Sequence, residues 1–216
     1  MTMTSRCSRA PASLALLAAL AMVAACGSER VSAPTTETSA AAPTANGAKP
    51  WAGTDDPQFL MASASAPAIA NPVIAFWAKK GVDTTVVMYY HARPGHNDST
   101  TFMRFRVRAK SLVTRVDGSS LANGDSLLIT VTLADAAALK LDFQPSGLQF
   151  SSHDQAVLKM NYSEAAPFGA GNVQALCIWK KESPLDPWLR VSSVVMDGTD
   201  DVQADIAGFT GYAMAY

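Results

Sequence analysis

Four cations occupy alternate positions of one short run, Arg104, Arg106, Arg108 and Lys110, interleaved with Met103, Phe105, Val107 and Ala109. A period of two describes a β-strand with one face in a core and the other in solvent. The cationic face is a possible binding face, able to meet anionic lipid headgroups, a phosphorylated glycan or an acidic partner; the plainer alternative is a solvated face paired to acidic neighbours. The whole chain carries 17 Lys and Arg against 18 Asp and Glu, a formal net charge of −1. Without a strongly basic field, nucleic acid is disfavoured as a partner.

The remaining reactive side chains form no recognisable constellation. His91 and His96 with Asp98, or His153 with Asp154, lack the spacing of a zinc or calcium motif, and His96 and Asp98 fall in a Pro-Gly turn where polar residues are expected. Asp197, Asp200, Asp201 and Asp205 crowd a turn and the strand after it, which suits a solvated acidic hairpin better than a calcium loop. There is no Gly-x-Ser-x-Gly elbow and no glycine-rich phosphate loop, so no catalytic, cofactor or metal residue is assigned. Cys177 lies in Val173-Gln174-Ala175-Leu176-Cys177-Ile178-Trp179, apolar on both faces, and is expected to be a buried small hydrophobe rather than a reactive thiol.

The N-terminus supplies an address. Arg6 and Arg9 precede the apolar run Leu14 to Ala25, which is too short to span a hydrocarbon core that needs roughly 20 residues. This is the pattern of a signal peptide. Val23-Ala24-Ala25-Cys26-Gly27 resembles the lipobox of bacterial lipoproteins, and the resemblance implies a diacylglyceryl group on Cys26 and cleavage just before it. Cys26 is therefore the expected lipid-attachment residue, residues 1–25 the removed signal, and Gly27 in place of an aspartate resembles sorting to the outer membrane of two-membraned bacteria. Cys7 leaves with the signal, so Cys177 is the one free thiol expected in the mature chain and no internal disulfide is available.

Residues 26–50 are rich in Ser, Thr, Ala and Pro and almost lack large apolar side chains, a composition that cannot offset the entropy of ordering. A flexible linker of this length spans roughly 25 to 30 Å on average. The rest is expected to form one domain, with a lead-in segment and the first strands over 51–101.

Period-two patterning recurs throughout that domain. Val86, Met88 and Tyr90 alternate, as do Leu127, Ile129, Val131 and Leu133; Leu139, Leu141 and Phe143; Ala156, Leu158, Met160 and Tyr162; and Val202, Ala204 and Ile206. Turn sequences separate them, among them Asp117-Gly118, Asn123-Gly124-Asp125, Pro145-Ser146-Gly147 and Asp197-Gly198. The expected fold class is all-β, an antiparallel β-sandwich. The alanine-rich stretch Ala62 to Ala70, with Pro67 inside it, is expected to be an irregular lead-in crossing one edge of a sheet.

Phe143-Gln144-Pro145-Ser146-Gly147-Leu148-Gln149-Phe150, followed by Ala156-Val157-Leu158-Lys159-Met160-Asn161-Tyr162, is similar to the "P-x-G-x-x-F … L-x-x-x-Y" core of ZU5-like domains, β-sandwich modules of death-domain receptors, ankyrins and bacterial envelope proteins. Phe105 to Leu112 sits at their "V-P-x-G-A-L" segment without its proline and glycine. Trp179 with Pro187-Trp188 resembles their tryptophan hairpin, and Gly208-Phe209-Thr210-Gly211-Tyr212-Ala213-Met214-Ala215 their "H-F-S-x-Y-A-V-A" ending. The resemblance covers roughly 102–216 and implies a fold rather than an activity. Some relatives cleave themselves at the His-Phe-Ser step; here Thr210 would be the nucleophile after Phe209, but Gly208 stands where the base would be.

Two function classes follow. One is a lipid-anchored envelope protein whose sandwich binds or scaffolds another envelope protein or a glycan. The alternative is an envelope hydrolase with a site assembled only in three dimensions, with self-cleavage at Phe209-Thr210 as a remoter variant.

Overall fold

The computed structural model describes residues 57–95 and 99–216. All of the described residues belong to one compact unit, within 45–216. The signal segment, Cys26, the linker, and His96 with Asp98 lie outside the described residues.

Eleven strands follow in chain order: β1 (Val73–Lys79), β2 (Thr84–Tyr89), β3 (Thr101–Val107), β4 (Ser126–Asp135), β5 (Lys140–Gln144), β6 (Ala156–Asn161), β7 (Cys177–Lys181), β8 (Leu189–Arg190), β9 (Ser193–Met196), β10 (Asp201–Ile206) and β11 (Gly211–Ala215). They form a six-stranded sheet in the order β1-β4-β5-β11-β7-β8 and a five-stranded sheet in the order β2-β3-β6-β10-β9. Neighbouring strands pair antiparallel. The protein is an all-β sandwich.

Alternation places the core between the sheets. Met103, Phe105 and Val107 of β3, Ala156, Leu158 and Met160 of β6, and Val202, Ala204 and Ile206 of β10 are all buried. From the opposite sheet come Ile129, Val131, Leu141, Phe143 and Tyr212. Aromatic rings join the layers: Phe105 meets Phe143 edge-on at a centroid distance of 5.0 Å and also approaches Phe76, Phe150 and Phe209. Such offset and edge-on pairs add about 0.5–1.5 kcal/mol each beyond the area they bury.

Three local departures from strict alternation have identifiable causes. Leu139 is buried but is not a strand residue. It sits in the left-handed region at φ 48° in the turn before β5, and the Asp135 carboxylate holds that turn by accepting the N–H groups of Ala137 and Ala138 at 3.0 Å each. Phe102 is buried beside Met103 because the β2–β3 register shifts between Met88 and Tyr89, which lets its ring reach Tyr90 at 5.6 Å. The cation stripe also breaks. β3 ends at Val107, and Ala109 and Lys110 lie in a turn closed by Ser111 N–H to the Arg108 carbonyl at 2.9 Å.

The segment Ala62 to Ala70 is irregular. It runs beside the edge strand β2 through the bridge of Ile69 with Tyr90 and the hydrogen bond from Ala70 N–H to the Tyr89 carbonyl. Farther upstream, Leu60 N–H donates to the Met214 carbonyl, taking the place beside β11 that β5 leaves.

Candidate functional site

The outward side of the five-stranded sheet carries the cations. Its central cross-strand row runs Val87, Arg104, Lys159, Gln203 and Val194 across β2, β3, β6, β10 and β9. The next row places Thr85, Arg106, Val157 and Asp205 side by side. These residues face outward because their strand neighbours carry the core side chains, so the alternation that buries Phe105 and Leu158 necessarily exposes Arg104 and Lys159.

A hollow of about 500 Å³, open to solvent, lies over these rows and is lined by Asp83, Thr85, Arg104, Arg106, Arg108, Val157, Lys159 and Gln203. A second of about 410 Å³ adjoins it, shares Arg104 and Lys159, and extends over Thr101, Asn161, Thr199 and Asp201.

Most of the cations already have partners. Arg106 pairs with Asp83, whose other oxygen accepts the Ala109 N–H at 2.6 Å. The Arg106 guanidinium and that N–H hold the Asp83 carboxyl below the usual carboxylate range. Arg108 pairs with Asp205 at 2.9 Å, and Lys159 with Asp201 at 3.1 Å. Arg104 is exposed and has no ion pair or hydrogen bond among the described residues. Lys110, expected on the same stripe, is exposed in the turn after β3 and does not line either hollow.

Asp201 and Asn161 form the polar hub beneath this face. Asn161 Nδ2 donates to the Thr199 carbonyl at 2.8 Å and to Asp201 Oδ1 at 3.1 Å, while its own Oδ1 accepts from the Ser163 N–H at 3.0 Å. Burial works to raise the Asp201 carboxyl, but hydrogen bonds from Thr199, Asn161 and Lys159 outweigh it and leave the group below its ordinary value. A carboxyl lowered in the folded state stabilises the protein above its unfolded pKa, and that contribution disappears as pH falls through the lowered folded value. Asp201→Asn is therefore expected to flatten the acid limb of the stability profile below about pH 4. Denaturant unfolding across the acid range checks this; equal slopes for both proteins would contradict it.

The acidic residues near the β9–β10 turn do not act as one group: Asp201 belongs to the hub and Asp205 to Arg108. His91 and His153 are both described. Among the described residues, no group of three or more His, Cys, Asp or Glu is placed to hold a metal ion.

Cys177 is buried at 3 % exposure between Ala215 and Trp179, with Phe59 and Trp188 packed over them. Arg190 Nε donates to its sulfur at 2.9 Å, yet burial is the larger influence and pushes the thiol up. Thr210 is also buried, and its hydroxyl donates to the Lys181 backbone carbonyl. Two residues before it, the Gly208 carbonyl accepts the Tyr212 hydroxyl at 2.6 Å.

Sequence reasoning located Arg104, Arg106 and Arg108 but missed Lys159, Asp201 and Gln203 as parts of the same face. Lys159 alternates with the buried Leu158 and Met160, which marks it as outward-facing; only the strand order shows that it lies directly beside Arg104. Compared with family models, curated proteins and solved structures, the chain finds no match.

Proposed function

We propose that this chain is a lipid-anchored cell-envelope protein whose β-sandwich, similar in sequence motifs to ZU5-like domains, serves as a binding or scaffolding module. The observation that carries the reading is the open hollow on the five-stranded sheet, where four cations converge on one face and Arg104 has no counterion among the described residues. The shallow shape suits recognition of a group presented by a larger partner, an envelope protein or a glycan, better than enclosure of a small substrate. The N-terminal segment supplies the location. In this reading, two or three acyl chains at Cys26 hold the protein firmly at the outer membrane, since each buried methylene contributes about 0.8 kcal/mol and a single chain anchors only marginally. The linker then lets the domain search nearby surface.

Anchor and recognition are tested separately. Cys26→Ser is expected to move the protein from the membrane fraction into the soluble fraction; continued sedimentation with membranes would refute the anchor. Mild cross-linking of the native protein in envelope membranes, with an Arg104→Glu, Arg106→Glu and Arg108→Glu variant alongside, is expected to recover one recurrent partner that the variant loses. Identical partner sets would remove the cationic face from the reading.

A further inference from the structure

We propose that Arg104 and Lys159 form a binding site for a phosphate group, seated in the hollow over β3 and β6 and completed by the side chains of Thr85 and Gln203. The proposal deepens the reading of this sheet as a recognition surface and rests on it.

Arg104 and Lys159 are direct cross-strand partners, and like charges directly opposite each other in a sheet are destabilising. Arg104 is not relieved from the other side of its strand, where its neighbour is Val87, and the direct neighbour of Lys159 on its other side is the uncharged Gln203. One carboxylate, Asp201, reaches Lys159 at 3.1 Å. Two cations and one anion leave a local surplus of one positive charge, carried by Arg104. The nearest remaining carboxylates of the face are engaged elsewhere, Asp83 with Arg106 and Asp205 with Arg108. A bound anion would neutralise the surplus and reverse the sign of the cross-strand interaction.

The lining identifies which anion. The arginine fork presents several N–H donors, the lysine is a mobile point charge, and a hydroxyl and a carboxamide add further donors around the same hollow. Donors distributed around an open basin suit the many acceptor oxygens of a phosphate, whereas a carboxylate offers two oxygens in one plane and is satisfied by the single fork each of its neighbours already supplies. A phosphate group can arrive free or as the head of a phospholipid. The hollow opens to solvent and so leaves both sources sterically possible.

The experiment uses the full chain in neutral detergent micelles, as wild type and as Cys26→Ser, titrated in one arm with inorganic phosphate and in the other with short-chain phosphatidylglycerol below its micelle concentration. Phosphorus NMR line broadening reads binding in both arms. Binding in either arm that weakens about tenfold or more in Arg104→Gln and in Lys159→Gln, that falls with rising ionic strength, and that is unchanged in Arg115→Gln, supports the site; the responding arm identifies the source. Arg115 is a matched control because it pairs with Asp125 and lines neither hollow. Absence of broadening in both arms, or broadening indifferent to Arg104→Gln and Lys159→Gln, overturns the proposal. The outcome is independent of the anchor, because Cys26→Ser leaves the hollow intact.

Discussion

Replacing Phe105 with alanine should lower unfolding stability by about 3–5 kcal/mol, a large part of the 5–15 kcal/mol that holds a typical domain together. Phe105 projects from β3 of the five-stranded sheet with no solvent exposure. Its ring is shared with Phe143 of the opposite sheet at 5.0 Å, Phe209 at 5.9 Å, Phe76 at 6.3 Å and Phe150 at 6.4 Å. Truncation therefore removes one ring and unseats four, and three of those are also packed on each other: Phe150 meets Phe209 at 5.1 Å and Phe143 meets Phe209 at 5.5 Å. Collapse into the gap would require both sheets to move together, which their hydrogen-bonded ladders resist, so most of the cavity cost persists. Phe105→Leu keeps much of the volume but loses the four ring contacts, and should cost about 1–3 kcal/mol, less than alanine. Denaturant midpoints for the two variants check the prediction; equal losses would mean that the apolar volume leucine restores recovers nothing and that the ring contacts carry the whole effect.

Phe105 also illustrates how far the sequence could be read. β3 announced itself because arginines alternate with core residues, and β6 and β10 did so through buried positions two apart. β1 gave no such signal. Its outward positions include Val73 and Trp77, 55 % and 65 % exposed, so both faces of Val73–Lys79 are apolar and the period of two is hidden. β8, with two residues, is too short to carry a period at all. The stripe of four cations was legible as a pattern, yet it was one turn too long. The strand end is set by two groups: Ser111, whose N–H and hydroxyl close the turn on the Arg108 backbone, and Asp83, which accepts the Ala109 N–H from 26 residues away and leaves no local pattern.

The same distance in sequence explains why the charge balance of the site was not legible. Asp83, Asp201 and Asp205 come from three separate parts of the chain, and which cation each neutralises depends on strand order. Composition showed near neutrality overall. It could not show that the neutralisation is uneven, complete at Arg106 and Arg108 and incomplete where Arg104 faces Lys159. A face that looked like four equivalent cations is a set of closed pairs around one open position.

Gly208→Ala should cost about 1–3 kcal/mol, a large effect for adding one methyl group. A Cβ at Gly208 would stand 2.5 Å from the Leu148 backbone carbonyl and about 3.0 Å from the Gln149 side chain. The side chain can swing aside, but the carbonyl is fixed, because it accepts the Phe209 N–H at 2.8 Å while Phe150 N–H donates to Ala207 at 2.7 Å. Relieving the clash means breaking that ladder, and Phe209 and Phe150 are the rings that flank Phe105, so the strain passes directly into the core. Gly198→Ala is the contrast. A Cβ there meets nothing within 4 Å, and the stiffer unfolded chain should leave stability unchanged or raise it by about 0.4–1 kcal/mol. By its sequence resemblance to self-cleaving ZU5-like domains, Gly208 also stands where those domains carry a catalytic histidine. This backbone has no room for the first carbon of that side chain, so Gly208→His should destabilise at least as much as alanine and yield no cleavage at Phe209-Thr210. Intact mass and denaturant midpoint, measured on the same variants, decide it: a stable histidine variant that loses the segment from Thr210 onward would show that this strand pair can open where its hydrogen bonds hold it closed.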